Sequence, residues 1–365
     1  MTRVLFVIPD ARHGSTATQL GLLARWLPPE RFACRVAVLG TGGPLLRTLT
    51  AAGVPVDVLG WTHAWDGRPL WRLRRLAQAF QPDVVHLWRP AALRAWAVAV
   101  AGKAAVVFSG VAGCRRLDRW LLGQVDRVIV SGPAEADACL HAGLRADQLM
   151  LVPPGADPVG VARPERSEGR GDATTPFTAF RACHPDTPQL VCIGPLEPHK
   201  GLYDALWAFD MLRYVYNELR LHVLGTGSER LRLVRFIRTI GAAGQVRFHD
   251  QPDDVRPWLD AADVVWVPSR TAGGTYTALE AMAAGRPVVA SRLPSLAEVI
   301  ADGETGVLVP PGDRMSLARQ TRLLLDDAGR RRQLGAAGRR HVQRRFAAGA
   351  MAQNFVEVYR TLNAA

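Results

Sequence analysis

Short apolar runs rich in β-branched residues alternate with longer helical patterns along most of the chain, and this alternation occurs in two blocks. It predicts parallel sheets with helices on both faces, because a parallel strand is buried on both sides and forms a continuous apolar run. A chain of 365 residues is also too long for one ordinary hydrophobic core. The sequence therefore predicts an α/β protein of two doubly wound, Rossmann-like domains.

The predicted strands set the domain boundaries at 1–158 for an N-terminal domain and 189–345 for a C-terminal domain. Residues 159–188 are rich in Pro, Gly, Ser, Arg and Glu, which favours a linker or insertion. A helix is predicted within 346–365, and we expect it to pack back toward the N-terminal domain. The predicted strands are 4–8, 34–39, 56–59, 84–87, 105–108, 127–130 and 149–152 in the first domain, and 190–193, 219–224, 245–249, 264–267, 288–290 and 306–309 in the second.

The chain has a net charge of +12, from 45 Lys and Arg against 33 Asp and Glu. A surplus of this size attracts nucleotide phosphates, acidic lipid headgroups or nucleic acid, and a G+C-rich genome produces the same bias without functional meaning. No nucleic-acid-binding module and no interleaving of aromatic and basic residues accompany the charge. We therefore expect no nucleic-acid partner.

Five cysteines are scattered without a paired spacing, which argues against a disulfide framework and against a zinc site. We expect no signal peptide, because residues 1–3 lead directly into the first predicted strand. The longest apolar stretch, 95–108, is interrupted by Lys103 and is too short to span a bilayer. We expect a cytoplasmic protein, at most peripheral on the inner face of the membrane. Segment 69–80, with Trp71 and three arginines, suits contact with an anionic membrane, or else packs on the sheet with its arginines in water.

The strongest functional pattern lies within residues 268–282. A strand ends in Pro-Ser, a loop with Gly273 and Gly274 follows, and a helix opens near Thr275 and Tyr276. Glycines let a backbone approach a ligand closely, and the amides at a helix start suit a phosphate. This segment predicts a site for a phosphorylated ligand.

Glu280 lies in the first turns of the same predicted helix. Its carboxylate could accept hydrogen bonds from two ribose hydroxyls, as acidic residues do in other nucleotide sites. Considered alone, it is better explained as a solvent-facing helix glutamate favoured by the helix dipole.

The sequence from residue 278 to 313 gives Glu280 a wider context. It begins Ala-Leu-Glu-Ala-Met-Ala-Ala-Gly-Arg-Pro-Val-Val-Ala-Ser and ends Ile-Ala-Asp-Gly-Glu-Thr-Gly-Val-Leu-Val-Pro-Pro-Gly-Asp. It closely resembles the family 4 retaining glycosyltransferases of the GT-B fold. Residues 193–201 and 224–230 resemble the family in register, and 81–86 and 153–157 resemble it weakly. The resemblance implies two Rossmann-like domains facing a central cleft that holds a nucleoside diphosphate sugar.

The resemblance also implies roles for single residues. Lys200 would bind the diphosphate, and the alternative is a solvated lysine in a polar loop. Gly225 would lie in the glycine-rich turn after the next strand, and Gly14 in the reduced glycine loop after the first strand. Glu280 would hold the ribose, with the backbone of 273–276 beside the phosphates and sugar.

Besides the reduced glycine loop at Gly14, three positions depart from the family pattern. Ala272 stands where a sugar-side glutamate is usual, and Pro195 where an arginine usually pairs with Lys200. The turn near Val111 lacks the usual histidine. Because a departing diphosphate needs cationic stabilisation, losing such groups slows transfer. Arg270, just before the glycine loop, could supply the missing cation, or it is an exposed loop arginine.

No dinucleotide fingerprint, Walker loop or metal-ligand constellation competes with this interpretation. We therefore expect no cofactor and no metal, with the nucleotide sugar as donor substrate. The first hypothesis is hexose transfer from a nucleoside diphosphate sugar to a sugar or lipid-linked acceptor. The alternative is a catalytically impaired GT-B scaffold that binds a nucleotide sugar or a partner without transfer.

Overall fold

The first sheet is built from runs of buried apolar residues, all paired in parallel. The computed structural model describes residues 1–12, 14–63, 66–99, 104–111, 114, 116–157, 187–252, 254–271 and 273–363. The seven strands have the order β3-β2-β1-β4-β5-β6-β7. They are β1 (Thr2–Ile8), β2 (Phe32–Val38), β3 (Val56–Val58), β4 (Val84–Trp88), β5 (Ala105–Ser109), β6 (Arg127–Val130) and β7 (Leu149–Leu151).

Helices cover both faces of this sheet, as the predicted doubly wound topology requires. One face packs against α1 (Ser15–Trp26), α2 (Leu45–Ala51) and the last helix of the chain. The other packs against α3 (Arg68–Phe80), α4 (Arg89–Ala99), α5 (Arg116–Leu122) and α6 (Pro133–His141).

The second sheet has six parallel strands in the order β10-β9-β8-β11-β12-β13. They are β8 (Gln189–Ile193), β9 (Arg220–Leu224), β10 (Val246–His249), β11 (Val264–Val267), β12 (Val288–Ser291) and β13 (Val307–Val309). Strand β11 pairs with β8 in the register Val265 to Val191. The fully buried Trp266 donates from Nε1 to Thr321 Oγ1 at 2.8 Å, so its one polar atom is satisfied.

The helices of the second unit alternate with its strands. One face of the sheet packs against α7 (Leu202–Arg213), α8 (Arg230–Thr239) and α12 (Arg314–Asp326). The other packs against α9 (Arg256–Ala261), α10 (Thr275–Ala283) and α11 (Pro294–Ala297). Helix α13 (Ala328–Arg345) adjoins α10 and α12.

The chain divides into one unit of Met1–Gly155 with Ala348–Ala365 and a second unit of Ala156–Ala347. The first boundary lies three residues before the predicted end at 158. The last helix, α14 (Ala348–Asn363), packs on α1 and β4 of the first unit. The predicted linker, 159–188, lies outside the described residues except for its last two. No helix among the described residues combines the length and the apolar character needed to cross a bilayer.

Candidate functional site

The loops that follow β8 and β11 meet at one edge of the second sheet. These strands are neighbours, but β8 leads to β9 on one side and β11 leads to β12 on the other. Such a switch point opens a crevice beyond the carboxyl ends of the strands, where α/β sheets bind ligands. The two loops are in direct contact, since the amide of Arg270 donates to the carbonyl of His199 at 2.8 Å.

Glycine permits this close approach. Gly201 has φ +67°, and a Cβ at this position would lie 1.9 Å from the carbonyl oxygen of Pro268. Gly273 has φ +103° and Gly274 has φ +93°, conformations that L side chains rarely adopt. The predicted glycine loop therefore presents backbone instead of side chains to a ligand.

The side chain of Lys200 lies over this glycine loop. A Cβ placed on Gly273 would be 2.6 Å from Lys200 Nζ. The side chain is half-buried, and burial lowers the pKa of its ammonium group. Among the residues that the structure describes, no carboxylate lies within ion-pairing distance of Nζ. A desolvated cation without a counter-ion is a favourable partner for a phosphate.

The glycine loop leads into the N-terminus of α10. Thr275 and Tyr276 are the first two residues of the helix, and its N-cap, Gly274, has no side chain to accept a hydrogen bond. Amides at a helix start that no side chain caps favour an anion, as does the helix dipole. Lys200 and this helix start thus supply positive charge to one place.

Glu280 lies one turn further along α10, and its side chain is partly exposed. Burial, together with the negative charge of Asp254, raises the pKa of its carboxyl to about 7. Asp254 is itself held by Arg256, at 3.0 Å from Nη2 to Oδ2. Thr277 Oγ1, 3.4 Å from the carbonyl of Ile193, brings α10 to the end of β8. Glu280 is thus neither fully buried nor fully exposed on α10.

Arg270 is engaged by a carboxylate. Its Nε and Nη2 donate to Asp204 Oδ2 and Oδ1 at 2.6 and 3.0 Å. Arg314 Nε donates to the same group at 2.8 Å. Burial raises the pKa of Asp204, but the two arginines outweigh it and hold the pKa below its usual value. Nothing in the sequence pointed to Asp204, and a role for Arg270 as the missing cation would require this pair to open.

The turn after β9 packs on the loop after β8. Gly225 lies so close that a Cβ there would be 1.9 Å from the carbonyl oxygen of Gly194, next to Pro195. Ser228 Oγ donates to Glu197 Oε2 at 2.9 Å. Gly225 thus shapes the loop that carries Lys200. Ala272 lies outside the described residues.

The first-unit residues singled out in the sequence lie after two strands of its sheet. Gly14 is the N-cap of α1 and has no side chain to cap the helix. Val111 follows β5 and packs, partly buried, against the core on the α3–α6 side. The residues after it, 112–113, lie outside the described residues, so the turn that lacks a histidine stays a sequence observation.

A histidine in β4 is fully buried in the first unit. His86 Nδ1 is 2.7 Å from Tyr359 Oη, and Nε2 is 2.7 Å from Ser109 Oγ. Burial lowers the pKa of its imidazole to about 3. Both ring nitrogens are satisfied inside the core, so His86 ties α14 to the sheet and is not placed to move a proton to a substrate.

The sequence matches two family models, one for each half. "Glycosyltransferase Family 4" matches residues 16–159, and "Glycosyl transferases group 1" matches residues 187–327. Glycogen synthase of Mycobacterium tuberculosis is 28% identical over 325 residues, which cover 83% of this chain and 76% of the relative. D-inositol 3-phosphate glycosyltransferase of Xylanimonas cellulosilytica is 34% identical over 241 residues, which cover 64% of this chain and 56% of the relative. The match thus spans little more than half the length of the second relative.

The fold has relatives among solved structures. The crystal structure of Anabaena HepE in complex with UDP-glucose has a TM-score of 0.84 at 19% sequence identity, and covers 99% of this chain and 100% of HepE. The two family models together match more than half of the chain, and the two parallel-sheet units agree with this solved structure. The chain belongs to the family 4 glycosyltransferases and has the GT-B fold.

Proposed function

We propose that the chain transfers a hexose from a nucleoside diphosphate sugar to a sugar or lipid-linked acceptor, with retention of the anomeric configuration. The observation that carries the proposal is the half-buried Lys200 ammonium, without an ion pair among the described residues, lying over the glycine loop at the start of α10. A diphosphate is the ligand that this arrangement favours, because cation, backbone amides and helix dipole act on the same place.

In this proposal each part of the donor has a partner in the second unit. The diphosphate lies against Lys200 and the amides of Thr275 and Tyr276, and the ribose hydroxyls donate to the Glu280 carboxylate. As the bond from the anomeric carbon to the diphosphate breaks, negative charge grows on the leaving phosphate. Lys200 and the helix start stabilise that charge, which is the interaction that lowers the barrier.

We propose catalysis without a metal ion or cofactor, since these groups already provide positive charge. Transfer that survives EDTA is the expected result, and activity restored only by a divalent cation would contradict it. UDP-glucose is the first donor to test, because HepE holds it in a related fold. The relatives named above act, by their names, on glycogen and on inositol phosphate, so polyhydroxylated acceptors are the first to screen.

We propose a cytoplasmic location at the inner face of the membrane. The cysteines within the described residues, Cys34, Cys114, Cys139 and Cys192, are all unpaired, as is usual in a reducing compartment. Labelling of an intact cell with a thiol reagent that does not cross the membrane tests this, and modification of the native protein would contradict it.

The decisive experiment is a thermal-shift and calorimetric panel of UDP, GDP, ADP and their sugar conjugates. A ligand at a hundred times its Kd stabilises the protein by about 2.7 kcal/mol. We expect one base to give this shift, Lys200→Ala to abolish it, and kcat/KM to fall by about a hundredfold or more in that variant. Arg238→Ala, which removes an exposed cation from the last turn of α8, is the control and should keep both.

The outcomes separate the two functional hypotheses. Selective binding together with transfer supports the enzyme. Selective nucleotide binding that depends on Lys200, without transfer of the sugar to any acceptor or to water, would support the hypothesis of a catalytically impaired scaffold. No binding of any nucleotide would overturn the donor site itself.

A further inference from the structure

Three helices of the first unit form one continuous outer surface. Helices α3, α4 and α5 pack side by side on the same face of the sheet. Each turns its apolar side to the core, as Leu73, Leu93 and Leu122 illustrate, and leaves the opposite side exposed. We call the exposed side chains of these three helices the arginine face.

The charge of the arginine face has one sign. The three helices contain eight arginines and one acidic residue, Asp118. Asp118 is fully buried and paired with Arg94 at 3.3 Å, so it adds no negative charge to the surface. The exposed arginines whose side chains the structure describes are Arg68, Arg72, Arg74, Arg75, Arg89 and Arg119.

Large apolar side chains stand among these arginines, one on each helix. Trp71 on α3 is 57% exposed, Val98 on α4 is 74% exposed and Trp120 on α5 is 65% exposed. The guanidinium of Arg75 lies 4.9 Å from the centroid of the Trp71 ring, which orients the indole within the positive field. Exposed apolar groups that share a face with charge of a single sign mark an interaction surface.

We propose that the arginine face docks the protein on an anionic lipid bilayer. Arginines gain free energy from acidic headgroups at the bilayer surface, and indoles favour the headgroup level, where their apolar rings leave water. A nucleic acid would also attract the arginines, but it offers no apolar region for Val98, on the helix between the two tryptophans. A bilayer satisfies both features of the surface.

The docking keeps the protein at the surface where lipid-linked molecules are found, and in this respect it deepens the proposed function. It does not depend on that function. Vesicle binding is measured without donor or acceptor, so docking and transfer succeed or fail independently of each other.

The test is co-sedimentation of the full chain with vesicles of phosphatidylcholine, with and without phosphatidylglycerol, over a range of salt. We expect binding only to the anionic vesicles, and weaker binding as salt screens the charges. The triple variant R68Q/R74Q/R75Q should lower the partition coefficient by about a hundredfold, since each arginine near an anionic surface contributes about a factor of five. Trp71→Ala should lower it by about tenfold through lost apolar burial.

Matched variants distinguish a defined face from general positive charge. R332Q/R340Q/R344Q removes the same number of exposed arginines from α13 of the second unit and should leave binding unchanged. R68K/R74K/R75K keeps the positive charge and should retain most of the vesicle binding that R68Q/R74Q/R75Q loses. If the α13 variant loses as much binding as the α3 variant, or if phosphatidylglycerol has no effect, the proposal is wrong. If the α3 variant loses affinity for a random oligonucleotide while vesicle binding persists, the face is a nucleic-acid surface and the proposal is also wrong.

Discussion

His86 in the first unit and the pair Lys200 and Glu280 in the second unit are buried in opposite ways. In the first unit, His86 has no exposed surface, yet each ring nitrogen has a hydroxyl partner at 2.7 Å. In the second unit, Lys200 and Glu280 are less deeply buried, and neither has an ion-pair partner within the described part of the chain. Burial shifts the pKa of all three groups away from the usual value, so the shift alone does not distinguish the two units.

The difference lies in whether the polar atoms are satisfied. A buried group whose partners are complete stabilises one arrangement of the core. A desolvated group without a partner costs free energy in the ligand-free protein, and a ligand that completes it recovers that cost. We therefore propose that His86 contributes to stability and that Lys200 and Glu280 contribute to binding, and the substitutions below test this proposal.

The largest expected effect on stability comes from His86→Ala. It leaves the hydroxyls of Ser109 and Tyr359 buried without their partner and opens a cavity, which should cost about 3 kcal/mol of unfolding free energy. Urea unfolding measures the total, and hydrogen exchange should rise in β4 and β5 but not in β8 and β11. Ser109→Ala, which removes one of the two bonds, should cost about 1 kcal/mol. If His86→Ala lowers donor affinity but leaves the free energy of unfolding unchanged, His86 has a role in binding and not in stability.

Glu280→Gln should have the opposite effect on stability. The carboxyl has a pKa of about 7 in the folded chain against 4.5 as its ordinary value. Between these values the folded protein binds the extra proton, so the ionised carboxyl lowers the free energy of unfolding as pH rises through this window. The variant should therefore match the wild type near pH 4.5 and be more stable above pH 7. We expect a gain of about 2 kcal/mol, because residual exposure reduces the full linkage value.

The same variant should bind the donor more weakly, since only the carboxylate accepts from both ribose hydroxyls. For the wild type, donor affinity should rise with pH through about 7, where this carboxyl ionises, and in the variant it should not. Glu304→Gln, at an exposed position near α13, is the control for both measurements. Loss of stability in Glu280→Gln at pH 8 would place Glu280 with His86 as a structural group.

Much of the fold follows from the sequence, because parallel strands are short and continuously apolar. The predicted strands 127–130 and 264–267 coincide with β6 and β11. The sequence does not distinguish helix α4 from strand β5, because the apolar stretch 95–108 covers both the end of α4 and most of β5. Lys103 is the one charged residue in this stretch, and a single polar position sets no period that would show where a helix stops and a strand begins.

The sequence predicts the parts of the candidate site that are formed by residues adjacent in sequence. It does not predict the parts that are formed by packing between distant segments. The glycine loop and helix start at 273–276 are local features, and their sequence indicates them. The environment of Glu280 depends on Asp254, which reaches it from the loop after β10. The partner of Arg270 is Asp204, in the first turn of α7. Contacts between loops so far apart in sequence leave no pattern in the sequence.

Arg270→Gln should have the smallest effect on stability and turnover. It decides whether Arg270 only holds the loop after β11 or supplies a cation to the diphosphate. The guanidinium is 52% exposed, while Asp204 is 3% exposed and keeps Arg314 as a partner. An exposed arginine in such a pair contributes at most about 1 kcal/mol to stability. If the pair only holds the loop after β11 against α7, unfolding free energy should fall by less than this, and turnover by less than about tenfold. A larger fall in kcat with KM and stability unchanged would show that Arg270 leaves Asp204 to meet the diphosphate, as the cation that Pro195 does not supply.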